Sequence, residues 1–396
     1  MRVSLLLSAL LLIINILCDI YIAKQLPSSF RKGVKRCLLW VVNSLIYLLF
    51  IIIILLIYNK NTHILSSNIE FLVFSFFTIS FPKLIFVLIS PLDYLLKYIT
   101  NKKMKIFTIV GTILSFSLVA TLLFGFVYGR KNINCNEVDV FAPNLPASFD
   151  GYKIVQISDL HLKSFYGDTL FLERMVKTIN NFNPDIVCVT GDIVSLKADE
   201  ILPYKGVLSL IKAKDGIFSV LGNHDYGDYV NWKSVEEKSL NLLKLSTYQK
   251  EMGWTLLNND YNYICNNSDT ISVIGVENWG KPPFSQYGNL TASYPTLFDD
   301  KFKILLSHNP EHWKEVLNKS NINLTLSGHT HAMQLKFPFK DGYVSPASLR
   351  GKWWSGLYKE GEQYLYVNDG IGCTLFTLRM GAFPEITVIT LKRKNE

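Results

Sequence analysis

The sequence predicts a chain in two parts, an N-terminal region of four membrane-spanning helices followed by an α/β domain. Three observations carry this reading. Four apolar stretches of membrane-crossing length fill the first third of the 396 residues, short apolar runs alternate with amphipathic ones through the rest, and the charge changes sign between the two. Up to Lys131 there are 14 Lys and Arg against 3 Asp and Glu; beyond it there are 26 against 29. The net charge of +8 therefore belongs to the apolar third, where it orients insertion, and no nucleic-acid partner is expected. With 49% hydrophobic residues, 18% charged residues and a mean hydropathy of +0.21, a disordered or fibrous chain is excluded. Six cysteines in this length make no disulfide framework.

The four apolar stretches are 3–23, 37–58, 71–90 and 106–128. Each is near the ~20 residues that cross ~30 Å of hydrocarbon. Arg2 precedes the first as in a signal peptide, yet no small-x-small cleavage site follows, so an uncleaved helix is expected. Pro82 and Lys83 interrupt the third; with no visible partner, Lys83 is expected to snorkel. Between the first two helices lie Lys24, Arg31, Lys32, Lys35 and Arg36, and between the last two Lys97, Lys102, Lys103 and Lys105. The opposite side carries Arg2, Lys60, Arg130 and Lys131. Nine against four puts both basic loops inside, so the chain after Lys131 is expected to be extracytoplasmic.

A polar, proline-containing segment, 132–148, is expected to be a linker, with the soluble domain running over 149–396. Strands are expected at 152–158, 185–190, 216–221, 271–276, 303–307 and 323–326, where short β-branched or apolar runs end in turn residues. Helices are expected at 169–183, with Leu170, Met175, Val176 and Ile179 on one face, and at 202–213, 232–251 and 311–318. Short β segments at 343–345, 364–367 and 385–391 close the chain. This alternation argues for an α/β domain long enough for a sizeable core.

The strand ends hold the informative residues. Asp159-Leu160-His161 follows the first strand, Gly191-Asp192 the second and Gly222-Asn223-His224-Asp225 the third. Ser307-His308 and Gly328-His329-Thr330-His331 follow the later two. Functional groups in open α/β sheets gather at the carboxyl ends of strands, and five of the seven histidines fall there. Carboxylates supply negative charge and can bridge two cations; imidazoles suit Zn, Fe and Mn; an Asn carbonyl adds a neutral ligand. The glycines permit tight turns where backbone approaches the site. Each piece alone reads as a turn or cap, but all five in order point to a two-metal centre.

That ordered set resembles the calcineurin-like metallophosphoesterase family over about 152–391, and the whole chain resembles its membrane-anchored branch with N-terminal transmembrane helices. The resemblance implies two mixed β-sheets packed face to face with helices outside. It implies that Asp159, His161 and His331 bind one metal, that Asn223, His308 and His329 bind the other, and that Asp192 bridges them. The metals would be two divalent ions (Mn, Fe or Zn), with metal-bridging hydroxide attacking phosphorus and His224 acting on the leaving group. Asp225 or Asp159 is expected to keep His224 charged. Two departures stand out: Ser195 occupies the place of a second Asp after the bridging one, and Asp369 rather than Arg precedes Gly370-Ile371-Gly372.

The function expected is hydrolysis of a phosphoester or diphosphate bond, in a lipid or cell-envelope substrate, by a membrane-anchored enzyme. Alternatives are a nucleotide-diphosphate-lipid pyrophosphatase facing the cytoplasm, and a non-catalytic membrane receptor or scaffold with a degenerate esterase domain. Glu277-Asn278-Trp279 reads as a loop near substrate or a plain turn, and Trp353, Trp354 and Tyr358 as core packing or lipid contacts. A Cys135–Cys265 disulfide is left open.

Overall fold

A computed structural model describes residues 5–58, 67–280, 285–294, 299–317, 319–374 and 376–394. The chain divides into a helical unit, Met1–Val127 with Leu375–Thr377, and a second unit, Tyr128–Thr374 with Leu378–Glu396. Arg2 and Lys60, both used to orient the helices, lie outside the described residues.

In the helical unit, α1 is Leu5–Gln25, α2 Gly33–Tyr58, α3 Ser67–Ile89, α4 Leu92–Thr100 and α5 Ile106–Val127. Among the described residues, four spans are long and apolar enough to cross a membrane, the third running on through α4 to Thr100. Most of their apolar side chains point outward, as expected where lipid rather than water is the solvent. α4 is amphipathic and carries Asp93, whose carboxylate accepts from the backbone of Phe107 and Thr108 at 2.8 Å each, capping the start of α5.

Lys83 corrects the snorkelling expectation. Its Nζ lies 2.9 Å from Asp19 on α1, with the two side chains only 16% and 5% exposed, and Tyr47 of α2 donates to the same carboxylate. A lone charge in hydrocarbon is costly, whereas a paired one is tolerated and fixes which helix faces meet. Asp19 escapes sequence reading because it sits six residues before the end of a mostly apolar helix.

The second unit holds two six-stranded sheets. One runs β1 (Asn134–Ala142), β14 (Glu385–Arg393), β2 (Lys153–Ile157), β3 (Ile186–Val189), β4 (Ile217–Ser219) and β5 (Thr255–Leu256). The other runs β12 (Gly356–Glu360), β13 (Gln363–Val367), β9 (Leu324–Ser327), β8 (Phe302–Leu306), β7 (Asp269–Gly275) and β6 (Asp260–Asn266). Both are mixed: β2, β3 and β4 are parallel while β14 opposes β2, and β7, β8, β9 and β13 are parallel between antiparallel edges. Ile154, Cys188 and Phe218 from the first sheet meet Ile271, Phe302 and Leu324 from the second in one buried core. The outer face of the first sheet packs on α6 (Thr169–Asn181) through Leu172, Met175 and Ile179, and on Leu245 of α8 (Val235–Glu251). The outer face of the second packs on Trp313, Val316 and Trp353. This is the face-to-face pair of sheets the resemblance implied. Trp353 is core, edge-on to Trp313.

Four elements differ from expectation. The segment 132–148 is not a free linker: it forms β1, paired in parallel with β14 from Asn134–Glu385 to Ala142–Arg393. As an edge strand it shows one polar face, so its Asn, Asp and Glu residues looked like loop. Of the helix expected at 202–213, only Lys205–Leu208 is α-helical; Pro203 lies just ahead of it, and Gly206 inside it weakens it. β6 and β12 were missed for the same reason as β1, being edge strands with exposed polar positions. Cys135 and Cys265 are both free.

Candidate metal centre

Five loops at the carboxyl ends of β2, β3, β4, β8 and β9 carry the nine predicted residues, and seven of them, all but Asn223 and Asp225, fall into ligand-atom groups that together draw on both sheets. The first loop is tied to the second by Asp159 N donating to Gly191 O (2.9 Å) and His161 N to Asp192 O (3.0 Å). Asp159, His161, Asp192, His329 and His331 all adopt left-handed backbone, with φ between 40° and 71°. Such conformations strain a non-glycine residue and persist where packing over-determines them, which is common at functional sites. They are also the bend by which Asp159 and His161, two apart on one strand end, aim into one site.

Among the described residues, three overlapping groups have ligand atoms within 4.8 Å of one another: Asp159, His161 and His331; His161, Asp192 and His224; Asp192, His308 and His329. Asp192 Oδ2 stands between the outer two, 3.5 Å from His161 Nε2 and 3.2 Å from His308 Nε2. His331 Nε2 lies 3.1 Å from Asp159 Oδ1, and His329 Nδ1 lies 3.2 Å from His308 Nε2. Asn223 Nδ2 donates to Tyr229 Oη at 2.8 Å, which turns Asn223 Oδ1 the other way.

The donors fit a cation pair. His161 Nε2 and Asn223 Oδ1 are buried with no hydrogen-bond partner, and leaving a buried polar atom unpaired costs about 1–3 kcal/mol unless something else satisfies it. The electrostatics ask for positive charge. Burial opposes ionisation of Asp159 and Asp192, yet the imidazoles around them hold both below the usual carboxylate range. His308 is pushed up to about 10 because Asp192 and Asp159 outweigh its burial. Desolvation lowers His161, and lowers His329 to about 4 even though that ring keeps an open face at the mouth. Mixed imidazole, carboxylate and amide donors suit Mn, Fe or Zn.

His224 and Asp225 do not act as a pair. Asp225 is fully buried and gives both carboxylate oxygens to backbone amides, those of Asp192 and Gly222 at 2.8 Å and of Val194 at 3.1 Å. It splints the loops, and burial together with the charge on Asp192 raises it to about 8. The His224 ring is oriented by Ser195, whose carbonyl lies 2.8 Å from Nδ1. A carbonyl only accepts, so Nδ1 carries the proton and Nε2 is left for chemistry. This contact is made by the main chain and so does not depend on the Asp that Ser195 replaces. The Ser195 hydroxyl also lies 3.4 Å from His161 Nδ1.

Arg379 was missed by sequence reading. Its side chain is fully buried and donates to the carbonyls of Asp369 and Ala382 at 2.9 and 2.8 Å, and its Nη2 lies 3.1 Å from His331 Nδ1. The signal available was a single Arg in an apolar run, 48 residues from the histidine it braces. Asp369 is buried and pairs with Lys336 at 2.8 Å. Glu277 accepts from Tyr226 and Asn259, and Trp279 stacks on His312 at 4.0 Å, so the loop after β7 is fastened beside the His308 loop.

Sequence comparison agrees with this geometry. Residues 152–333 match the profile described as "Calcineurin-like phosphoesterase", and residues 1–130 match "Probable Calcineurin-like phosphoesterase, transmembrane domain". The uncharacterized metallophosphoesterase YkuE of Bacillus subtilis is 34% identical over 283 residues, covering 68% of this chain and 91% of that protein. The chain belongs to the calcineurin-like phosphoesterase family. Members of the family are hydrolases acting on phosphoester bonds, and this one is a membrane protein with four transmembrane helices ahead of the catalytic fold. A zebrafish (Danio rerio) transmembrane protein with metallophosphoesterase domain is 28% identical, over 71% of this chain and 63% of its own length. The UDP-2,3-diacylglucosamine pyrophosphatase LpxG of Chlamydia trachomatis is 30% identical, over 58% of this chain and 81% of its own.

Proposed function

We propose that the protein is a binuclear phosphohydrolase that cleaves a phosphoester or diphosphate bond in a lipid or cell-envelope substrate. The observation that carries this reading is Asp192 Oδ2 standing between two donor clusters, one of which includes the orphaned His161 Nε2, with a second orphaned donor, Asn223 Oδ1, on the neighbouring loop. Asp159, His161 and His331 would hold one divalent cation and Asn223, His308 and His329 the other, with Asp192 shared. Two such cations, when bound, supply Lewis acidity toward a phosphoryl group and activate water at neutral pH. The chain's own residues do the rest. Asp225 holds the loops of Asp192 and Gly222 in register, Arg379 and Ser195 orient the rings of His331 and His224, and His224, in its doubly protonated form, has Nε2–H free to protonate the leaving oxygen and is left neutral with the Nδ1 proton kept. Such an intact donor set disfavours the scaffold alternative.

The lipid assignment draws on membrane anchoring and on LpxG, a relative named for a lipid diphosphate. A nucleotide-diphosphate lipid is the second reading, favoured by that relative and requiring a cytoplasmic site. The short-loop charges support the extracytoplasmic side. Two measurements decide. Purified protein, with Mn, Fe or Zn added back, is screened against lipid phosphates, lipid diphosphates and model diesters; no metal-dependent hydrolysis of any of them would refute the proposal. An alkaline-phosphatase reporter fused at the C-terminus should be active, and a cytoplasm-only fluorescent reporter there dark. A bright fluorescent signal would promote the nucleotide-lipid reading.

A further inference from the structure

Two short strands leave the His331 loop and stand apart from both large sheets. β10 (Phe337–Phe339) and β11 (Gly342–Val344) form a two-stranded sheet of their own. The register pairs Phe337 with Val344, Pro338 with Tyr343 and Phe339 with Gly342. Cross-strand partners share a face, so Phe337, Phe339 and Val344 lie together on one side and Tyr343 on the other. Phe337 is 44% exposed, Phe339 58%, Val344 43% and Tyr343 59%, and Leu349 just beyond is 90% exposed. An isolated hairpin is marginal in water, and an open apolar patch of this kind marks a surface that meets a partner.

Charge says which partner. Lys340 at the turn and Arg350 after β11 are exposed, and from 333 to 353 Asp341 is the one acidic residue, while Lys352 pairs with Glu360 at 2.7 Å. The Lys340 ammonium lies 5.6 Å from the Phe339 ring centre. Aromatic rings ringed by Lys and Arg are the composition of an interfacial anchor: the rings seat at headgroup level and the cations meet anionic lipid. The hairpin is also tied to the metal loop. Ser345 Oγ donates to Ala332 O at 2.6 Å, next to His331, and Lys336 at the head of β10 pairs with buried Asp369. Resting on the lipid reading above, we propose that the β10–β11 hairpin docks on the anionic surface of a bilayer and so presents the metal centre to lipid headgroup phosphates.

The test uses the full chain in phosphatidylcholine nanodiscs with and without roughly one-third phosphatidylglycerol, read by hydrogen–deuterium exchange over 335–345. Exchange should be slower in the discs than in detergent, and slowest with phosphatidylglycerol. The double substitution Phe337→Ser with Phe339→Ser should remove the protection while α8 exchanges as before. Lys340→Gln with Arg350→Gln should remove the dependence on phosphatidylglycerol, at roughly fivefold in membrane partition per cation. Hydrolysis of a soluble nitrophenyl phosphodiester should be unchanged in both variants. Equal exchange in discs and detergent overturns the proposal. So does protection that follows protein concentration and ignores lipid charge, which would assign the face to a second copy. Protection that holds while the wild type hydrolyses no lipid phosphate leaves the docking standing and removes the lipid substrate.

Discussion

At the residue scale, His224 and His312 are two histidines whose surroundings assign them opposite work. His224 has Nδ1 committed to the Ser195 carbonyl and its ring beside His161 at 4.8 Å, so only Nε2 is free to give a proton. His224→Ala should keep both metals and lose about 10²–10⁴ in rate on esters with poor leaving groups. Nitrophenyl esters, whose leaving group needs no proton, should lose far less; equal losses on both, or loss of metal, would show that His224 is not the acid. His312 is fully buried against Trp279, with Ser307 Oγ 2.9 Å from Nδ1 and no partner for Nε2. Desolvation depresses it from the usual 6.5 to about 4. The unfolded chain then takes up a proton that the folded one refuses. The stability this neutral ring permits is full above about pH 6.5 and is lost as pH falls toward 4, by roughly 3 kcal/mol at most. Denaturation of the chelated protein, compared with chelated His312→Gln, should show that extra acid sensitivity in the wild type; parallel curves would remove it.

At the element scale, three transmembrane helices are pinned by one polar cluster. Asp19, Lys83 and Tyr47 join α1, α3 and α2 at a place where hydrocarbon offers no competing partner. Asp19→Asn strands the Lys83 charge and should cost about 3 kcal/mol or more. Asp19→Leu with Lys83→Met should recover most of that, measured as thermal stability in detergent or nanodiscs. A single Asp19→Asn as stable as the wild type would leave the pair without a structural role. The cluster also shows why sequence reading fell short here. Lys83 was visible as a charge in an apolar run, but its partner lay 64 residues away on another helix, and periodicity within one helix carries no record of that. Edge strands failed for a related reason. A buried strand such as β3 reads as a continuous apolar run, while β1, β6 and β12 satisfy only one face and look like loops.

At the scale of the whole molecule, the metal loops were legible because ligand chemistry is local: Asp-x-His, Gly-Asp, Gly-Asn-His-Asp and Gly-His-x-His each sit within a few residues of a strand end. Their convergence follows from placing parallel strands side by side in two facing sheets. What supports those loops was not legible. Arg379 behind His331, the Ser195 carbonyl behind His224 and the three amides on Asp225 depend on tertiary placement rather than spacing. The central claim is that one carboxylate joins two cations, and Asp192→Asn tests it most directly. The variant keeps its shape but loses the whole of the shared negative charge, so metal bound per folded chain, counted by elemental analysis, should fall from about two to one or fewer, and hydrolysis should vanish. An Asp192→Asn protein that binds two metals and turns over at the wild-type rate would contradict the two-metal centre.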